Sequence, residues 1–132
     1  MNSRRAVVDA SAMVDLLIGS PLGDAVRGRL EDHELHAPAH FDAEVLSALG
    51  RLQRAGKLSV ADVASRLAQV AGAPIRRHEL ASLLDGAWQL RQAIRLLDGL
   101  YVTLAARLEA PLITTDAALA SVTPAAELIA GR

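Results

Sequence analysis

The sequence contains no cysteine among its 132 residues, which excludes disulfides and thiolate chemistry. Aromatic residues make up only 2% of the chain, so the stacked-base platforms of many single-strand-binding proteins are not expected. No apolar run approaches the roughly 18 residues that a membrane-spanning helix needs. The apolar stretch after Met1 is also too short for a secretory signal. These absences favour a soluble cytoplasmic protein that does not interact with membranes.

Lysine is nearly absent, since Lys57 is the only one. The net charge of −1 counts against a broad basic surface for nucleic acid. It leaves room for a local strip of arginines, whose planar guanidinium suits bidentate contact with phosphate. With 52% hydrophobic and 22% charged residues, the chain predicts one compact domain with a sizeable core.

Short apolar segments alternate with amphipathic ones along the chain. The predicted strands cover residues 4–8, 34–37, 74–78, 111–114 and 127–130. The predicted helices cover residues 11–18, 21–30, 40–55, 60–71, 81–90 and 98–109, with a helical turn from 116. This order indicates an α/β fold with a mostly parallel central sheet flanked by helices on both faces. Ligands of such folds bind beyond the carboxyl ends of the strands.

Four acidic residues fall at informative places in this pattern. Asp9 ends the first strand, Asp116 lies just past the fourth, and Asp98 begins a helix. Glu44 is next to Val45, on or beside the apolar stripe of its helix. Each aspartate alone could be a helix cap, and Glu44 could reach water. Caps explain acids that begin helices, but they do not explain an acid beside an apolar stripe.

Four carboxylates in one place would repel one another, and their pKa values would rise. Mg²⁺ or Mn²⁺ removes that conflict because these hard cations prefer oxygen ligands. Such an ion also lowers the pKa of a bound water and neutralises charge on a phosphodiester. The hydroxyls of Ser11, Thr114 and Thr115 could orient the ligands or the waters.

Four segments of the sequence together resemble PIN-domain proteins and, within them, VapC-type toxin ribonucleases. They are "VVDASAMVDLL" (7–17), "HAPAHFDAEVLSALGRL" (36–52), "LLDGLYVTLAARL" (96–108) and "LITTDAALA" (112–120). Their order and spacing extend the resemblance over essentially the whole chain, as a single PIN domain of residues 1–132. One departure is Gly99, which follows Asp98 where alanine is usual.

The resemblance implies a three-layer PIN-like fold, a homodimer and Mg²⁺- or Mn²⁺-dependent cleavage of RNA. It also implies a VapB-type antitoxin that plugs the acidic groove with its tail. Carried over residue by residue, the family's catalytic and metal-binding acids are Asp9, Glu44, Asp98 and Asp116. Of these, Asp9 and Asp98 are expected to hold the main ion, and the other two to complete the pocket. The candidate RNA contacts are Arg76, Arg77, Arg91 and Arg95.

Three alternatives remain open. The same fold could act as a catalytically inactive PIN-like module in protein–protein interaction. A phosphoacceptor domain is a second class, although it needs a lysine near its aspartate and Lys57 is badly placed. A zinc centre is a third, with the histidines of "HELHAPAH" as ligands: His33, His36 and His40.

Asp15 and Asp42 compete for the acidic site on spacing alone. Asp15 lies six residues after Asp9 on a predicted helix and is expected to point away from the strand end. Asp42 lies about 200° around its helix from Glu44, so these two cannot share a face. Both are expected to be surface or capping residues.

Overall fold

A five-stranded sheet forms the centre of the protein, for which the computed structural model describes residues 4–130. The strands are β1 (Arg4–Val8), β2 (His33–Pro38), β3 (Ile75–His78), β4 (Leu112–Thr114) and β5 (Ala126–Leu128). They lie in the order β3-β2-β1-β4-β5, and every neighbouring pair is parallel. The predicted α/β fold with a parallel sheet is therefore confirmed.

Within the described residues, seven α-helices connect the strands. They are α1 (Ala10–Ile18), α2 (Gly23–Leu30), α3 (Phe41–Arg54), α4 (Val60–Gly72), α5 (Leu84–Gln89), α6 (Leu96–Leu108) and α7 (Ala117–Val122), with a 3₁₀ turn at Ala81–Leu83. Helix α1 packs against α2 and α3, and α3 packs against α4, whereas α6 packs against α5, β1 and β2. Successive strands are added toward one edge of the sheet up to β3 and toward the other edge from β4 onward. Because the crossovers are right-handed, this reversal places the two groups of helices on opposite faces of the sheet. Within residues 4–130, no helix has the length and apolar character needed to cross a bilayer.

Two predicted helix starts differ from the structure, and both differences have local causes. The second helix begins at Gly23, not at Pro21. Ser20, the predicted cap, instead donates its hydroxyl to Asp15 Oδ1 at 2.7 Å and accepts a bond from the Leu22 N–H. Helix α6 begins at Leu96, which places Asp98 inside its first turn and not at the cap.

The core centres on β1 and β4, the two strands on either side of the reversal in strand order. Ala6, Val7, Val8, Leu112 and Ile113 are all fully buried. Both faces of these strands are covered by helices, so their residues are apolar without alternation, as is typical of parallel sheets. The residues that follow these two strands are consequently held at one well-defined edge.

Helix α3 buries the apolar stripe that the sequence predicted. Phe41, Val45 and Leu49 recur every four residues and are each fully buried. Glu44 precedes Val45, so the packing of this stripe draws its carboxylate toward the protein and away from bulk water.

Helices α5 and α6 approach each other closely because glycines lie in their contact. A Cβ on Gly99 would lie 3.2 Å from both Cα and the carbonyl oxygen of Ala87. This close approach explains why a glycine follows Asp98. On α5, a Cβ on Gly86 would lie 2.4 Å from Cγ2 of Thr103.

Replacing Gly86 should therefore destabilise the fold. We expect Gly86→Ala to lower the free energy of unfolding by about 1–3 kcal/mol, because the added methyl forces the helices apart. Gly28→Ala is the matched control, since Gly28 is exposed on α2 and no atom lies near its Cβ position. It should gain up to about 1 kcal/mol from helix propensity. Urea unfolding followed by circular dichroism measures both, and equal stability of the two variants would contradict the expectation.

Candidate active site

The four predicted carboxylates line one pocket of about 380 Å³. Asp9 directly follows β1, and Asp116 comes two residues after the end of the neighbouring strand β4. Glu44 comes from α3 and Asp98 from α6. The pocket thus lies beyond the carboxyl ends of the strands, at the point where the strand order reverses, which is where open α/β sheets bind ligands.

The Asp9 carboxylate is both a helix cap and a wall of this pocket. Its Oδ1 accepts hydrogen bonds from the Ala12 N–H at 2.9 Å and from the Ser11 hydroxyl at 2.7 Å. Its Oδ2 accepts a third bond from the Thr114 hydroxyl on β4. Because these donors come from two elements, the orientation of the carboxylate is set by the joining of β1 to β4.

Burial changes the acidity of Asp9, whose residue surface is only 5% exposed. Loss of solvation raises the pKa of this carboxyl to about 6, although the bonds from Thr114, Ala12 and Ser11 lower it. The negative charge of Asp116 raises the pKa further. A nearby cation would reverse this effect, since it favours the charged form.

The Glu44 carboxylate is held by Tyr101, a residue of α6 whose role the sequence reasoning missed. The phenol donates to Glu44 Oε1 at 2.6 Å. Burial, together with the bond to Glu44, raises the pKa of Tyr101, so the phenol stays protonated and remains a donor. Tyr101 lies three residues after Asp98, on the same side of α6. That spacing is the signal in the sequence that places Tyr101 beside the predicted acid.

Arg95 lies between the remaining two carboxylates. Its Nε donates to Asp98 Oδ2 at 3.1 Å, and its Nη2 lies 3.9 Å from Asp116 Oδ2. Asp116 Oδ1 is used differently, because it caps α7 by accepting from two backbone N–H groups. The Arg95 side chain is 81% exposed, so its ion pairs add little stability. Their effect is to reduce the repulsion between the two acids.

The donor atoms of the pocket suit a hard divalent cation, since all four acidic groups offer oxygen. Within residues 4–130, however, no three acidic or histidine side chains stand close enough to share one ion as they lie. Arg95 provides part of the neutralising charge in this arrangement. The chemistry of the donor atoms therefore fits Mg²⁺ or Mn²⁺.

Arg77, a predicted RNA contact, uses its guanidinium for bonds within the protein. Its Nε and Nη2 donate to the carboxylate of Asp42 at 3.1 and 3.0 Å. Its other bonds go to the carbonyl oxygens of Val70, Ala73 and Ile75. All five N–H groups are used, so Arg77 ties the end of α4 to β3 and α3. Asp42 is correspondingly a partly exposed ion-pair residue outside the pocket.

The other predicted RNA-contact arginines occupy different surroundings. Arg76 is 73% exposed and lies 4.0 Å from Glu34, whereas Arg91 lies over the Trp88 ring at 4.7 Å. Neither lines the acidic pocket, but Arg95 does. Arg51 also lines the pocket, and the sequence reasoning missed it. It lies seven residues after Glu44, which is two turns along the same face of α3.

The expectation that Asp15 points away from the site is corrected. Asp15 lies at the margin of the acidic pocket, on the same face of α1 as Ser11. Its Oδ1 accepts the hydroxyl of Ser20 at 2.7 Å. It therefore adds negative charge to the pocket, although its carboxylate is used in closing the α1–α2 turn.

The histidines proposed as zinc ligands have separate partners. His33 Nδ1 lies 2.8 Å from the Glu31 carbonyl oxygen. His36 lies between Glu34 and His78, at 2.7 and 2.8 Å. His40 Nε2 lies 3.0 Å from the carbonyl oxygen of Leu97. Because the three histidines bond to different partners, their ring nitrogens do not form one zinc site.

A larger cavity of about 550 Å³ lies between α1, α2 and α4, with Arg27, Glu31 and Arg66 among its lining residues. It shares no lining residue with the acidic pocket. Size alone therefore does not identify the site. The convergence of titratable groups, one of them with a strongly raised pKa, favours the smaller pocket.

The sequence matches a known family along most of its length. The PIN domain family model matches residues 6–123. The matched range includes the carboxyl ends of β1 and β4 and all four acids of the pocket. The chain therefore belongs to the PIN-domain family.

The relatives within that family carry the VapC name. Ribonuclease VapC3 of Mycobacterium tuberculosis is 56% identical over 126 residues, covering 95% of this chain and 92% of its own. Ribonuclease VapC12 of the same organism is 40% identical over 114 residues, covering 86% and 88%. Within the PIN-domain family, the chain is therefore similar to VapC-type proteins.

Solved structures share the fold at low sequence identity. PAE2754 of Pyrobaculum aerophilum superposes with a TM-score of 0.69 at 22% identity, covering 93% of this chain and 82% of its own. A toxin–antitoxin complex from Klebsiella pneumoniae contains a chain with a TM-score of 0.66 at 14% identity, covering 96% and 99%. At such identities the likeness supports the three-layer fold.

The raised pKa of Asp9 predicts how stability depends on pH in a metal-free solution. The folded pKa of about 6 lies above the ordinary value, so the charged form is disfavoured by folding. The contribution of Asp9 therefore lowers the free energy of unfolding as the pH rises from about 4 to about 6, and the loss reaches about 3 kcal/mol above that range. Asp9→Asn removes the charge and should raise the melting temperature at pH 7.5 but not at pH 4.

The measurement is thermal unfolding in EDTA, with Asp24→Asn as the control because Asp24 is exposed in the first turn of α2. The control should not raise the melting temperature at either pH. A gain from Asp9→Asn that is equal at both pH values would show that the carboxylate charge is not its cause.

Proposed function

We propose that the protein is a Mg²⁺- or Mn²⁺-dependent endoribonuclease, acting as the toxin of a type II toxin–antitoxin pair. The observation that carries this proposal is the convergence of Asp9, Glu44, Asp98 and Asp116 in one pocket at the carboxyl edge of the sheet. The 56% identity to a protein named Ribonuclease VapC3 supports the RNA substrate. The presence of all four acids favours an active enzyme over an inactive interaction module.

Asp9 and Asp98 would hold the main ion, and Glu44 and Asp116 would complete the acidic wall. When bound, the ion supplies a water of lowered pKa and neutralises charge on the phosphodiester during in-line attack. The two acids that complete the wall each have one oxygen without a hydrogen bond from the described residues. Oδ2 of Asp116 and Oε2 of Glu44 accept no hydrogen bond from any residue between 4 and 130.

The chain's own groups prepare this site before any substrate arrives. Ser11, Ala12 and Thr114 fix Asp9, so its carboxylate needs no reorganisation. Tyr101 fixes Oε1 of Glu44 and leaves Oε2 to orient a water. Such preorganised orientation lowers the barrier because the ordering is complete before the reaction.

Arg95 has a separate part in the proposal. Its guanidinium neutralises Asp98 and Asp116 in the free protein, and it is exposed enough to move. A cation held by those acids would free Arg95 to pair with an RNA phosphate, for which guanidinium is well suited. Arg51, on the opposite wall, offers a second cation.

The partners follow from the same assignment. A VapB-type antitoxin would inhibit the enzyme by placing its tail in the acidic pocket. The toxin–antitoxin complex among the structural neighbours is consistent with this partner. A homodimer would join two short arginine strips into one groove, which the net charge of −1 on a single chain conceals.

Cleavage of total RNA by the purified protein tests the activity, the ion and the substrate together. We expect defined cut ends in Mg²⁺ or Mn²⁺ and none in EDTA. Asp9→Asn and Asp98→Asn should each lower the rate by about 100-fold or more, because each removes a charged ligand. Asp24→Asn keeps the pocket intact and should cleave as wild type. The proposal would be contradicted by cleavage that is as fast in EDTA as in Mg²⁺ or Mn²⁺. It would also be contradicted if Asp9→Asn and Asp98→Asn cleaved RNA as fast as Asp24→Asn.

Tyr101 is expected to act as a positioning residue through Glu44. Tyr101→Phe keeps the buried ring and removes the bond to Oε1, so kcat should fall about 10-fold or more with little change in KM. Thr103→Val is the matched control on α6, because the buried Thr103 hydroxyl has no partner within residues 4–130. Steady-state cleavage of a short RNA measures both. A fall in kcat for both variants alike would indicate general loosening of α6.

A further inference from the structure

A second pocket, of about 510 Å³, adjoins the acidic one. The two share Arg95, Asp98 and Asp116 as a common wall. The rest of its lining is aliphatic and comes from two elements, the segment before α6 and helix α7. These residues are Ala93, Ile94, Ala118, Leu119 and Val122.

The aliphatic lining has a buried floor and exposed sides. Ile94 and Leu119 are 7% and 3% exposed, so their positions are set by core packing. Ala93 and Ala118 are exposed, and Val122 is 46% exposed. Single exposed apolar residues are ordinary on a protein surface. Here they surround one concave space that has a rigid floor, which is typical of small-molecule and ligand-fragment sites.

We propose that this aliphatic pocket binds the base of a nucleotide next to the scissile phosphate. The inference rests on the proposed function, because it requires an RNA strand at the acidic site. A phosphate beside Asp98 and Asp116 would lie at the wall that the two pockets share, so the adjacent base reaches the second pocket directly. The volume of about 510 Å³ accommodates a flat base with part of its ribose.

The chemistry of the lining favours a base over the side chains of a protein partner. The charged groups of this pocket are those of the shared wall, and the remaining lining side chains are aliphatic. A base has two apolar faces and a ribose that leads back to the charged backbone, so it matches both parts. The larger cavity beside α1, α2 and α4 shares no lining residue with the acidic pocket.

The same lining predicts the kind of selectivity. Aliphatic side chains offer no hydrogen-bond donors or acceptors to a base edge. The pocket therefore distinguishes bases by size and stacking surface, and it does not read the edge of one particular base. We expect a preference between purine and pyrimidine at one position beside the cut.

The test fills the pocket from its exposed side. Ala118→Phe projects a ring into the space without altering the backbone N–H that Asp116 caps. Ala117→Phe is the matched control, since Ala117 is also exposed on α7 but does not line the pocket. Ala93→Phe fills the same space from the opposite wall and serves as an independent second variant.

The probes are short synthetic RNAs that contain a cut sequence mapped with the wild type, intact or with one abasic nucleotide beside the cut. For wild type and Ala117→Phe, one abasic position should lower kcat/KM about 10-fold, as expected when a bound base is lost. Ala118→Phe and Ala93→Phe should lower kcat/KM about 10-fold on intact RNA. On that abasic RNA, these two variants should have the same kcat/KM as the wild type, because the base that the ring displaces is already missing.

Three results would overturn the inference. Equal cleavage of intact RNA by Ala118→Phe and Ala117→Phe would show that the pocket does not touch the substrate. If Ala118→Phe and Ala93→Phe lower kcat/KM on abasic RNA as much as on intact RNA, the introduced ring blocks the acidic site and does not displace a base. A change in oligomeric state by light scattering, with base dependence retained, would assign the pocket to contact with a second copy. If the wild type cleaves no RNA at all, the proposed function itself fails.

Discussion

The burial of the Asp9 carboxylate is the constraint on which the site depends. Asp9 stands where β1 ends and α1 begins, and its bonds to Ser11, Ala12 and Thr114 join that turn to β4. A buried charge must be compensated, and hydrogen bonds alone leave the pKa of this carboxyl at about 6. The protein therefore holds a carboxylate that is oriented in the free state but incompletely stabilised, and such a group gains strongly from a cation.

The same balance of charge extends around the pocket. Asp98 and Asp116 lie close enough to share Arg95, and Glu44 relies on the protonated phenol of Tyr101. Each arrangement reduces repulsion without a bound ion, which explains how a protein with so many acids in one place remains folded. The most exposed member of this set is Arg95, so its charge is the one least tied to the fold. The aliphatic pocket adjoins the acidic one at Arg95.

Sequence reasoning succeeded where a local pattern has one physical outcome. Apolar runs such as 4–8 and 111–114 predict buried parallel strands, and acids that follow such strands must lie at the carboxyl edge of the sheet. It failed where the partner of a side chain lies far along the chain. Arg77 is an exposed cation in the linear pattern, but residues from α3, from the end of α4 and from β3 use all of its donors. Tyr101 similarly reaches Glu44 across 57 positions.

By itself, the sequence determined the α/β class, the parallel sheet, the stripe of α3 and the identity of the four acids, because strand and helix periodicities are local properties. The tertiary structure alone decided which hydroxyls and phenol orient those acids, that Arg51 and Asp15 join the pocket, and that an aliphatic cavity adjoins it. Those features arise where α3, α6, α7 and the strand ends meet. Their geometry depends on packing between elements distant in sequence, which no local period encodes.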